Sequence, residues 1–110
     1  MDDRQLLEDA ARALGYSNVL RWDEKLVCLT DYEGWTFNPL EDDGDSAHME
    51  SALSLDVQWQ THHVIVGRTI LDKWQEPYAN HRLDKQAARR YAGTRAAAAI
   101  GQKMREAGNG

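Results

Sequence analysis

The stretch from Leu83 to Ala107 constrains the fold more than any other part of the chain. Asp84 is placed to start a helix, and Ala87, Ala88, Tyr91, Ala92, Ala96, Ala99, Ile100 and Met104 recur at helical spacing to give it an apolar face. Ala96 to Ala99 is unbroken alanine, and side chains that small let another backbone come close. At 110 residues the chain fits one domain, 1–110, with 108–110 as a frayed end. A domain of that size buries roughly two-thirds of its unfolded surface. It therefore needs neither a metal nor a disulfide to fold.

The elements before that helix read as alternating helices and strands. Leu6, Leu7, Ala10, Ala11 and Leu14 give a first amphipathic helix that Gly15 is placed to end. Val19–Trp22 and Leu26–Thr30 are β-prone runs separated by Asp23-Glu24-Lys25, a spacer of hairpin length. Tyr32-Glu33-Gly34 reads as a turn, and Ser46–Leu55 as a shorter second helix. Val57–Gln60 and His63–Val66 are two more strands or one bent strand. From Arg68 to Asn80 the pattern is irregular: Ile70, Leu71 and Trp74 look buried, and Pro77 interrupts any helix. The order gives an α+β domain, an antiparallel sheet of about four strands packed with helices.

Composition narrows the function classes. The longest apolar run, Ala96–Ile100, is too short to cross a bilayer, and the chain opens on Asp2 and Asp3 where a signal peptide would carry positive charge. The expected location is the cytoplasm. The single cysteine, Cys28, lies in an apolar run and reads as a core residue. Four tryptophans supply large areas for burial.

The net charge of −5 is unevenly spread. Residues 1 to 56 carry 4 basic against 14 acidic side chains, and residues 82 to 110 carry 7 against 2. Such a split marks a nucleic-acid contact, self-association of unlike surfaces, or two segments that neutralise each other in the fold.

The acids are densest in "NPLEDDGD", residues 38 to 45. Asn38-Pro39 is a natural exit from a strand, because proline biases the residue before it towards extended backbone. The acids then fall at the start of the second helix, where Asp42, Asp43 or Asp45 can cap exposed amides. One helix end uses one cap, so Glu41, Asp42, Asp43 and Asp45 also stand as a candidate acidic binding face. A divalent-cation site from Asp42, Asp43, Asp45 and His48 is the weaker alternative, since the calcium-loop spacing is absent. Adjacent His62 and His63 would point to opposite faces of a strand, which argues against zinc. No catalytic motif is legible, and no catalytic residue, metal or cofactor is assigned. In the basic segment Arg82, Lys85 and Arg89 fall on one side of a helix and form a candidate basic face.

"WTFNPLEDDGDSAHMESALSLDV" together with "ARRYAGTRAAAAIGQKM" resembles small bacteriophage and prophage proteins with an α/β/α "ABA sandwich" domain. The matching residues are Trp35, Asn38 to Leu40, Asp42 to Asp45 and Arg95 to Gly101. Thr36-Phe37 and the segment from Thr69 to Asn80 depart from the pattern. The resemblance implies a sandwich-like fold, a phage origin, and the acidic turn as a fixed junction between sheet and helix. It brings no catalytic residues. The expectation is a non-enzymatic accessory protein of the bacterial host cytoplasm that binds a host or phage protein or a second copy of itself. A nucleic-acid-binding accessory protein using the basic helix is the alternative, and no membrane is involved.

Overall fold

The computed structural model describes residues 3–16, 18–22, 25–29, 34–68 and 73–108; for 18–22, 25–29 and 34–36 it describes the backbone. The chain runs α1 (Asp3–Ala13), β1 (Asn18–Trp22), β2 (Lys25–Leu29), β3 (Gly34–Thr36), α2 (Asp43–Ala52), β4 (Asp56–Trp59), β5 (His63–Gly67), β6 (Trp74–Pro77), a 3₁₀ turn (Tyr78–His81) and α3 (Lys85–Glu106). A helix followed by a three-stranded antiparallel meander thus occurs twice, and α3 closes the chain. The fold is α+β, but the sheet of about four strands becomes two sheets of three among the described residues.

The two additional strands explain the difference. β3 has three residues, too few for an alternating pattern to register. β6 contains Pro77, which signals interruption in the sequence but is harmless here. Tyr78 N–H donates to the His62 carbonyl at 3.1 Å, so by antiparallel alternation the Pro77 nitrogen points away from β5 and no ladder bond is lost.

α1 ends where Gly15 takes a left-handed φ of +80°, which lets Tyr16 N–H reach the Ala11 carbonyl at 3.1 Å. The hairpin of β1 and β2 pairs Asn18 with Leu29 through Trp22 with Lys25. α2 starts three residues before the expected Ser46 and stops at Ala52, with Ser54 at positive φ. The side chains of Cys28, Trp22 and Trp35, and the residues Ile70 and Leu71, lie outside what is described.

The core has two parts joined by α3. In one, Ala10 and Ala11 of α1, Phe37, Met49 of α2 and Ala97 of α3 pack together, with Tyr16 edge-on to Phe37 at 5.6 Å. In the other, Val64 and Val66 of β5 meet Ala88, Ala92 and Ala96, with Leu55 and Tyr78 beside them. One face of the second sheet is therefore turned to α3. The other presents Asp56, Gln58 and Gln75 to solvent. Because α3 meets the sheet on one side and α1 on another, its buried set extends to Gly93, Thr94, Ala97, Ala98 and Gly101, wider than a single stripe. No helix among the described residues is long and apolar enough to cross a membrane.

Candidate functional site

Every carboxylate of the turn between β3 and α2 has a local partner. Asp42, in extended backbone, is the N-cap of α2 and accepts from Asp45 N–H at 2.7 Å. Asp45 accepts from Asn38 N–H at 2.9 Å, across the turn. Glu41 accepts from Asn38 Nδ2 at 3.3 Å. Asp43 meets Arg90 of α3 at 2.7 Å, with Arg89 further off at 3.9 Å. Arg90 also donates from Nε to the Leu40 carbonyl at 3.0 Å, so one side chain clamps the turn onto α3 twice. Glu41, Asp42 and Asp43 remain exposed, while Asp45 is half-buried.

Below the turn, Glu50 of α2 is 9% exposed. Burial raises its carboxyl above the ordinary value of 4.5, and the Arg89 guanidinium and the Ser46 hydroxyl pull it back down. Arg89 Nε lies 3.5 Å from Glu50, within reach of ionic attraction but without the alignment of a hydrogen bond, and the buried Ser46 hydroxyl also lacks one of good geometry.

The expected basic face is split. Arg89 turns to Glu50 and Asp43. Lys85 sits over the Tyr78 ring at 5.3 Å. Arg82 is exposed in left-handed backbone at φ 55°, next to Leu83 at φ 66°. His62 lies in the turn before β5 and His63 opens that strand. Among the described residues no group of three or more His, Cys, Asp or Glu side chains is arranged to hold a metal ion, the set Asp42, Asp43, Asp45 and His48 included.

Two charge clusters were not anticipated from the sequence. Asp9 is fully buried and held by Arg12 at 2.7 Å and by both Nε and Nη2 of Arg105, at 3.1 and 3.2 Å. The clue was its place on the apolar stripe of α1, three residues after Leu6. Glu76, 5% exposed on the α3-facing side of β6, accepts from Trp74 Nε1 at 3.0 Å and pairs with His81 Nε2 at 2.8 Å. The Arg95 guanidinium lies 4.1 Å over the Trp74 ring, beside a cleft of about 350 Å³ lined also by Leu6, Ala98, Ala99 and Gln102. Here no signal is legible, since Trp74-Gln75-Glu76 is one apolar residue followed by two polar ones, with Pro77 after them.

No family model matches the chain, and no curated protein or solved structure matches it either.

Proposed function

We propose that the chain is a small phage or prophage accessory protein that acts by binding another protein, with its acidic turn docking on a basic groove of a host or phage partner. The support is the stiffness of that turn. Glu41 and Asp42 amides both donate to the Asn38 carbonyl, at 3.2 and 2.9 Å, and Arg90 clamps Leu40 and Asp43. Exposed carboxylates held this way lose little freedom on binding, and a cluster of one sign steers a basic partner. A host defence or nucleic-acid-handling complex is the kind of target such a face fits. The reading assigns no catalysis and no cofactor, and the host cytoplasm as location; the α/β/α layering of the ABA sandwich belongs to it as well.

The test neutralises charge without loosening the turn. Asn is as good a helix cap as Asp, so Asp42→Asn with Glu41→Gln keeps the hydrogen bonds and removes two charges. Tagged protein is used to capture partners from nuclease-treated host lysate at low and high salt. A protein held by the wild type and released by the double variant supports the reading; equal retention by both removes the acidic face from it.

The alternative, nucleic-acid binding, rests on Arg82 and Lys85, both exposed, with Lys85 over the Tyr78 ring that also neighbours the exposed Trp59. It predicts affinity that falls steeply with salt, and no binding to DNA or RNA at low salt eliminates it.

A further inference from the structure

The second sheet has two edges, and they are unequal. At β6 the backbone positions that point outward are those of Gln75 and Pro77, and Pro77 has no N–H to offer. At β4 the case is different. Gln60 N–H donates to the His63 carbonyl at 2.9 Å, so in the register Gln58 to Ile65 and Asp56 to Gly67 the residues bonded to β5 are Asp56, Gln58 and Gln60. The N–H and C=O groups of Val57 and Trp59 therefore point away from β5, and among the described residues no hydrogen bond reaches them. Neither proline nor lysine, the usual guards of an open edge, occurs in β4. Trp59, on the same side of the sheet as Val57 and Val64, is 46% exposed even though its ring lies 6.5 Å from that of Tyr78.

We propose that β4 is the surface on which two copies of this chain associate, edge to edge and antiparallel, to make one continuous six-stranded sheet. The register follows from which groups are open. Centred on Gln58, the two-fold places Val57 of each copy opposite Trp59 of the other, so the outward backbone groups satisfy one another as two hydrogen-bonded pairs. Side chains agree with that register. Gln58 faces Gln58 of the second copy, Asp56 faces the neutral Gln60, and no like charges stand opposite each other. Trp59 gains an aliphatic neighbour, Val57 of the second copy, on its open side. A short strand gives few bonds, so the dimer forms at high rather than trace concentration.

The test is sedimentation equilibrium of the full chain across the micromolar to millimolar range, on wild type, Gln58→Lys and Gln58→Glu. Gln58 is exposed on the solvent side of the sheet, so both variants keep the wild-type melting profile. The wild type is expected to dimerise. Like charges at the two-fold weaken each variant by about threefold to fivefold at low salt, and an equimolar mixture of the two recovers association as a heterodimer. A wild type that stays monomeric throughout overturns the proposal and leaves the edge to a strand of a different protein. Dimers equally strong in all three proteins, or a mixture no stronger than its components, place any association elsewhere and overturn it too. Glu41 and Asp42 are untouched, so the outcome is independent of the acidic-turn reading.

Discussion

Gly101 of α3 sits directly against the backbone of Asp9 in α1: a β-carbon on Gly101 would overlap the Asp9 carbonyl group. The two helices meet backbone to backbone, and the run of alanines leading to Gly101 is the approach to that contact. Gly101→Ala forces the helices apart, because neither backbone can give way as a flexible side chain would. A loss of about 3 kcal/mol in urea denaturation is expected, the upper end for an overpacked core. Gly93 makes the internal comparison. A β-carbon there meets Met49 Cε at 3.5 Å, ordinary contact, so Gly93→Ala should be neutral or stabilise by up to about 1 kcal/mol through helix propensity.

Asp9 is the only carboxylate shown to face two guanidiniums at full burial among the described residues. Asp9→Asn removes the charge from these hydrogen bonds while Arg12 and Arg105 stay partly open to water, and about 1.5 kcal/mol of stability should be lost. A double-mutant cycle with Arg105→Gln should show coupling of about 1 kcal/mol or more, measured by the same denaturation.

Asp42 holds the first turn of α2 through Asp45 N–H. Asp42→Ala should cost about 1 kcal/mol, and Asp42→Asn should stay near wild type. Equal losses in both would show that charge, rather than capping, is what the turn requires.

Glu50 gives a pH signature of definite sign. Its folded pKa is raised above the ordinary 4.5, so the folded state holds this proton more tightly than the unfolded chain does. The associated stability is present in full below 4.5 and is lost as pH rises through the folded value. Glu50→Gln removes that loss. The difference in melting temperature, variant minus wild type, should grow as pH rises from 4, which isolates Glu50 from the other carboxylates. A pair of parallel curves would contradict the assignment.

The local chemistry of the chain was legible before its long-range partners were. Asp84 caps α3 as its position suggested, accepting from Ala87 N–H at 3.1 Å, because a cap and its helix lie in one stretch of sequence. The first hairpin and the end of α1 at Gly15 were readable for the same reason. Helix initiation also accounted for part of the acidic turn. The Arg90 clamp was not visible, since it joins side chains 47 residues apart and only the packing of α2 on α3 brings them together. β6 was missed because Pro77 signals an interruption unless one knows that its nitrogen faces outward from an edge. Burial of α3 on several sides was missed because periodicity registers one stripe and alanine carries little contrast. Trp59 was counted among the groups available for burial, whereas it lies at the end of a sheet edge.

The pairing of Asp9 with Arg105 spans 96 positions of the chain. It makes assembly of the molecule a late event. Closing a loop of that length carries an entropy cost before any contact compensates it, and chains dominated by such distant contacts fold slowly. During synthesis α1 leaves the ribosome well before α3, so Ala10 and Ala11 can already meet Phe37 and Met49, and Asp9 its neighbour Arg12, while the second guanidinium of Asp9 is still to come. Over that interval the side of Ala10 and Ala11 that Ala97 covers stays open, and the buried acid has Arg12 alone as counter-charge.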